Sequence, residues 1–183
     1  MSLLTEAIVL KRLPAGENDL SYVLLTSEIG KVRVLARGGR KIKSKLAPHL
    51  AGVAIVDVLL IEGRNGYGLA GAKIKQDFRH LCEVDCLLAS ANLFLSLIDS
   101  VLPEKAKDDE IFQLTTDTLK ELVNVSNDVE AKIKINSAVY KLLKILGLQP
   151  DISSATNQRE LFISLIGSLE SVTDRLAISQ AVY

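Results

Sequence analysis

Apolar positions along this chain keep two different periods. Through residue 78 they form short runs rich in β-branched and aliphatic residues, separated by turn residues: TEAIVLKRL, DLSYVLLTSE, KVRVLARG, VAIVDVLLIE and YGLAGAKIKQDF. Five strands are predicted from these runs. The segment PAGEN (Pro14 to Asn18) joins the first two, the tight Glu28-Ile29-Gly30 joins the second and third, and Asn65-Gly66 is a hairpin turn between the last two. Between strands three and four the connection is long and holds Gly38-Gly39 and Pro48, which predicts a loop with one helical turn. Five strands with an excursion after the third predict an OB-fold, a small partly open Greek-key barrel, with a five-stranded SH3-like barrel as its main rival.

After residue 80 the period becomes helical. Leu87, Leu88, Ala91, Leu95, Ile98 and Leu102 recur on one face until Pro103 stops the run, and Ile111, Leu114, Thr118, Leu119 and Leu122 mark a shorter second helix. A third opens at Asn127-Asp128-Val129-Glu130, where Asn127 can cap and Glu130 can reach back, and closes at Gly147 with Pro150 beyond. A fourth opens with Asn157 and Glu160 in the same relation and carries Leu161, Leu165, Leu169, Val172 and Leu176. The expected fold class is therefore α+β multidomain: an OB-fold nucleic-acid-binding barrel over residues 1–80 and an all-α helical bundle over 81–183, joined by a direct strand-to-helix passage near residues 79–83.

Composition sharpens that division. A chain of 183 residues with 48% hydrophobic and 24% charged residues is of globular type, and no uninterrupted apolar run is long enough to cross a bilayer. The amino terminus lacks a basic segment ahead of an apolar one, so a cytoplasmic protein is expected. Formal net charge is zero, yet residues 1–80 carry 13 basic against 7 acidic residues, and residues 81–183 carry 9 against 15. The first part is thus +6 and the second −6, and the first is the surface that a polyanion would meet.

The stretch GKVRVLARGGRKIKSKLAPHLAG (Gly30 to Gly52) concentrates that charge. It holds Lys31, Arg33, Arg37, Arg40, Lys41, Lys43 and Lys45, seven of the 22 basic residues, and no acidic residue. Lys31 and Arg33 alternate with apolar neighbours and project from one side of strand three. The remaining cations lie on a glycine-containing loop next to the face on which OB-folds bind oligonucleotides. These seven residues are the candidate phosphate contacts; a basic loop that serves only solubility is the plainer reading of the same charge. Tyr22, Tyr67 and Phe78 are too few for a stacking platform, and Phe78 reads as core. Phosphate contact without base discrimination is the expected mode, with strong salt dependence.

Catalytic signals do not accompany this charge. His49 and His80 have no partners at recognisable spacing, no phosphate loop of the GxxxxGKS type occurs, and an enzymatic function is not expected. His80, Cys82 and Cys86 offer at most half a zinc site, so the two cysteines read as buried thiols at the domain junction, sharing one helical face, with no metal and no cofactor.

Residues Glu6 to Ala51 resemble the bacterial recombination mediator family RecO. The resemblance lies in the opening strand, Glu17 in the first turn, the Thr26-x-x-x-Gly30-Lys31 turn, and the segment Ala36, Arg37, Gly38, Arg40 with Ser44 downstream. Leu146-Gly147-Leu148-Gln149-Pro150 falls where that family carries a Leu-Gly-x-x-Pro segment. The resemblance implies binding of single- and double-stranded DNA, with the seven cations from Lys31 to Lys45 as the DNA contacts, annealing of complementary strands without nucleotide consumption, and, with RecR, help in loading RecA onto DNA covered by single-stranded DNA-binding protein. It also implies that the helical domain receives the C-terminal tail of single-stranded DNA-binding protein. Many members insert a four-cysteine zinc module after the Leu-Gly-x-x-Pro segment; here the sequence reads DISSATNQRE without cysteine, so zinc does not carry over. A different class of reading is a non-catalytic adaptor, whose barrel docks to RNA or protein and whose acidic helical half is the partner surface.

Overall fold

Alternation within the strands decides how the chain layers. A computed structural model describes residues 2–41, 44, 46–64, 66–150 and 155–170. Its strands are β1 (Ser2–Ala15), β2 (Asp19–Thr26), β3 (Gly30–Ala36), β4 (Ala54–Gly63) and β5 (Gly66–Asp77), and they form a closed barrel in the order β1-β2-β3-β5-β4. All neighbours are antiparallel except β3 and β5, which run parallel through Val34↔Tyr67 and Leu35↔Gly68. The long connection after β3, with one helical turn at Ala47–His49, is what allows β5 rather than β4 to lie beside β3. A five-stranded OB-type barrel is the result, as the strand pattern predicts; the Asn65 half of the Asn-Gly turn lies outside the described residues.

β1 closes the barrel by pairing with two strands. Its first half pairs with β4 from Ser2↔Ile61 to Ile8↔Ile55, its second half with β2, and a register shift between Val9 and Lys11 bends it from one partner to the other. Successive side chains point to opposite faces. Ala7, Leu24 and Val56 accordingly fill the barrel interior with Tyr22, Val32, Val34, Val58 and Leu60, while their neighbours Ile8, Leu25 and Ile55 point outward and are equally buried. What covers them is the helical half: Ile8, Leu25, Val53, Ile55 and Phe78 belong to one cluster with Leu81, Leu87, Phe94, Leu97 and Ile98. Each such side chain contributes roughly 1.5–3 kcal/mol by leaving water. Strands buried on both faces read as continuous apolar runs, which accounts for the texture of AIVDVLL.

A helical turn at Arg79–Glu83 links barrel to bundle, followed by α1 (Asp85–Val101), α2 (Asp109–Val123), α3 (Asp128–Ile145) and α4 (Gln158–Glu170). Local chemistry sets their ends. Asp108 accepts from the amide of Ile111 at 3.0 Å, Asn127 from Glu130 at 2.9 Å and Asn157 from Glu160 at 3.0 Å. The reciprocal arm of each expected capping box is displaced by one residue: Glu130 accepts from the amide of Ser126, and Glu160 from that of Thr156. After α3, Gly147 takes φ +76° and Leu148 donates to the carbonyl of Leu143 at 2.8 Å, a left-handed helix end that favours glycine. Among the described residues no helix is long and apolar enough to cross a membrane. Val172 and Leu176 of the fourth apolar seam lie outside the described residues.

Candidate nucleic-acid interface

The basic stretch is divided by the fold at β3. At the amino end of the strand, Lys31 is drawn against the helical half: its ammonium donates to the carbonyl of Asp99 at 2.5 Å and lies 3.4 Å from that residue's carboxylate, with the side chain 12% exposed. The connection between α1 and α2 lies along the same strand, where Lys105 donates its amide to the carbonyl of Lys31 at 2.7 Å and Glu104 pairs with Lys31 as an isolated parallel bridge. Gly30 permits this approach, because a Cβ there would stand 2.0 Å from the carbonyl oxygen of Ala106. Arg33 is exposed and stands 3.8 Å from the Glu104 carboxylate. Both cations therefore face carboxylates that lie far along the sequence.

At the carboxyl end of β3 the cations meet a different environment. Arg37, Arg40 and Lys41 are all exposed, and none has a carboxylate partner among the described residues. Turn hydrogen bonds hold this part of the loop, from Gly39 N to the Ala36 carbonyl at 3.2 Å and from Lys41 N to that of Gly38 at 3.0 Å. It is also tied to the β1–β2 turn: the Gly38 amide donates to Asp19 at 2.7 Å and the Arg40 amide to the Asn18 carbonyl at 2.9 Å. Gly38 turns the chain with φ +66°, a conformation that costs other residues more. The first part of the loop is thus pinned rather than free. Lys43 and Lys45 lie outside the described residues.

One further cation belongs to this end of the barrel. Arg64, at the tip of the β4–β5 hairpin, is exposed and lines the same cavity of about 530 Å³ as Arg37, together with Tyr67. Sequence reasoning passed over Arg64 because it stands alone in the chain; its place one residue before a readable Asn-Gly turn is the signal that puts it at a barrel end. Two other barrel cations are already engaged. Lys75 is paired with Glu6, a hydrogen bond that raises its pKa, and Arg79 donates to Asp77 at 2.6 and 2.8 Å, holding that carboxyl below its ordinary range.

The aromatic and sulfur residues occupy other roles. Phe78 is core, as expected, and Tyr22 is buried in the barrel with its hydroxyl unpartnered; burial raises its pKa, partly offset by Arg12. The reading of the cysteines as buried thiols on one helical face needs correction: Cys82 is exposed and Cys86 half-buried. Val84, in extended conformation between the Arg79–Glu83 turn and α1, puts the two thiols on different elements. His80 pairs with Glu83 at 3.1 Å. Among the described residues no group of three potential ligands converges on a metal site.

In the helical half, a groove of about 740 Å³ lies between α1, α3 and the start of α4. Leu93 and Ile135 give it an apolar part, and Lys132 and Arg159 stand at it with Asp85 and Asp128. Lys132 is 2.7 Å from Asp128, and Asn136 donates to the side chain and carbonyl of Gln158, joining α3 to the first turn of α4.

Comparison with known proteins agrees with this two-part layout. Residues 1–78 match the family described as recombination protein O N terminal, and residues 87–174 that described as recombination protein O C terminal. Similar curated proteins carry the name DNA repair protein RecO. That of Alkaliphilus metalliredigens is 29% identical over 157 residues, covering 86% of this chain and 63% of the relative. That of Dehalococcoides mccartyi strain 195 is 30% identical over 153 residues (84% and 59%), and that of Bacillus pumilus 29% over 162 residues (86% and 60%). The chain spans about six-tenths of the length of these relatives.

Proposed function

Since this chain belongs to the RecO family of DNA repair and recombination proteins, a family of non-catalytic mediators, we propose that it binds single- and double-stranded DNA and anneals complementary strands. With RecR it helps RecA onto DNA covered by single-stranded DNA-binding protein. The barrel, residues 1–80, is the DNA-contacting unit, and the helical half, residues 81–183, is the unit for protein partners. The observation that carries this reading is the cluster of Arg37, Arg40 and Lys41 at the end of β3, whose charged ends pair with no carboxylate among the described residues. Exposed cations that no carboxylate neutralises are those free to exchange their counterions for phosphates; the Arg40 guanidinium meets only the neutral Gly16 carbonyl, at 3.4 Å. Lys43 and Lys45 extend the cluster along the sequence, and Arg33 joins it if phosphate displaces Glu104. Lys31, already held by Asp99, supports the barrel rather than the ligand.

Annealing then needs no bond chemistry. Cations on the barrel lower the repulsion between two phosphate backbones and leave base edges free to pair. The groove between α1, α3 and α4 is our candidate for the tail of single-stranded DNA-binding protein, because it combines an apolar floor with Lys132 and Arg159. A strand-annealing assay without ATP, run across a salt series, tests the reading. Faster pairing by the wild-type chain, lost when Arg37, Arg40 and Lys41 are reversed to Glu, is the expected result. Binding and annealing unchanged by that reversal would favour the adaptor role.

A further inference from the structure

We propose that a trough on the outer face of the barrel, between the end of β3 and the β4–β5 hairpin, receives an unpaired nucleobase, so that this site takes single-stranded nucleic acid in preference to duplex. The inference rests on the nucleic-acid reading of the barrel and adds base contact to it. Alternate residues of a strand share a face. On β5 the outward positions beside β3 are Gly66, Gly68 and Ala70, so the floor of the cavity of about 530 Å³ carries a single methyl group. Pairing aligns Leu35 of β3, Gly68 of β5 and Ile61 of β4 in one row across the sheet. Leu35 and Ile61 therefore stand as walls on either side of a bare backbone.

Among the described residues nothing packs down onto that floor. A Cβ built on Gly68 would meet only the carbonyl oxygen of Ile61 at 3.8 Å, and one built on Gly66 nothing within 4 Å. Glycine inside a strand marks places where a bend is made or another group approaches the backbone closely. Ile61 remains 49% exposed, an apolar wall left in water. Arg37 and Arg64 also line the trough, whereas among the described residues no acidic one does; the cleft at the barrel–helix junction, by contrast, sets Asp99 and Glu104 against its cations.

A ligand matching this trough is flat, apolar on its faces and flanked by negative charge. A nucleotide within a single strand meets all three requirements, and the volume falls within the range of sites for ring-sized ligands. Duplex DNA presents phosphates to Arg37 and Arg64 but keeps its bases stacked on one another, so it cannot fill the trough.

Three probes of equal length separate base from phosphate contact: a homothymidine oligonucleotide, the same oligomer made of abasic sites, and a duplex. Binding of each is measured by fluorescence anisotropy to the full chain, to Gly68→Leu and to the Arg37→Glu/Arg40→Glu/Lys41→Glu variant, with thermal melting as the folding check. Homothymidine is expected to bind the wild type about tenfold more tightly than the abasic oligomer, the effect of removing a base-sized apolar area from water. Gly68→Leu, which fills the trough without changing charge, should abolish that advantage and leave the other two affinities within about twofold. Ile61→Ser, which removes an exposed wall, should reduce the advantage in the same direction and serves if Gly68→Leu does not fold. Equal binding of homothymidine and abasic oligomers by the wild type, or equal weakening of all three probes by Gly68→Leu, would overturn the trough while the phosphate reading stood. A charge-reversed chain that binds every probe like the wild type would overturn the nucleic-acid reading itself.

Discussion

The two ends of β3 carry the same kind of residue to different fates. Lys31 and Arg33 meet Asp99 and Glu104 from the helical half, while the side chains of Arg37, Arg40 and Lys41, a few residues further on, pair with no carboxylate among the described residues. Density of positive charge along a chain therefore overstates the charge available to a ligand. The acidic half of the molecule lies against one end of its basic strand and leaves the other open.

Reversing the open end should have the largest effect on binding. Arg37→Glu/Arg40→Glu/Lys41→Glu is expected to weaken single-stranded DNA binding by about a hundredfold at low salt. If five to seven cations engage phosphates, log affinity falls with log salt at a slope of about −3.5 to −5 in the wild type, and each lost contact makes it shallower by about 0.7. A variant slope equal to that of the wild type would break the comparison between the two ends.

The closed end should answer in stability instead. Asp99→Ala leaves a nearly buried ammonium with only a backbone carbonyl, at a cost of about 2 kcal/mol in urea unfolding. Lys31→Met on top of it should return much of that loss, because the unpaired charge goes with the side chain. Loss of DNA affinity by Lys31→Met as large as that from charge reversal at the open end would show Lys31 to be a ligand contact after all.

Glu104 provides a finer test. Its pair with Arg33 is long and exposed, worth well under about 1 kcal/mol. Glu104→Gln should leave the melting temperature unchanged and tighten DNA binding by about two- to threefold at low salt, as one more cation becomes free. Unchanged binding would mean that phosphates do not reach the amino end of β3.

The smallest effect is expected far from both ends, at the start of α4. Hydrogen bonds from the Thr156 hydroxyl and amide lower the pKa of the exposed Glu160 carboxyl. A carboxyl depressed in the folded state adds stability above its unfolded pKa and loses it as pH falls through the folded value. Acidification should therefore loosen α4 slightly in the wild type, read by hydrogen exchange of its first turn, while Glu160→Gln shows no such dependence. DNA binding at neutral pH should be indifferent to this change.

Much of the architecture was legible from local patterns. Strand runs, the helical periods and the side-chain caps at Asn127 and Asn157 depend on neighbours a few residues away, and those neighbours are visible in the chain. Where the reading missed, the deciding contact was finer or more distant. Glu130 and Glu160 reach one residue further back than a capping box requires, and the extended Val84 separates Cys82 from Cys86 where a continuous helix would have joined them. Arg64 went unnoticed because its association with Arg37 is made by the β4–β5 hairpin and the parallel pairing of β3 with β5, not by proximity in sequence.

By itself the sequence determined that this protein would be a five-stranded barrel followed by helices, and that one stretch would be rich in cations, since periodicity, turn chemistry and charge are written residue by residue. Only the tertiary structure decided which of those cations remain free. That outcome depends on where Asp99 and Glu104 come to rest, 68 and 71 positions along the chain from Lys31 and Arg33, and Coulomb attraction acts over ångströms of space rather than over distance in sequence.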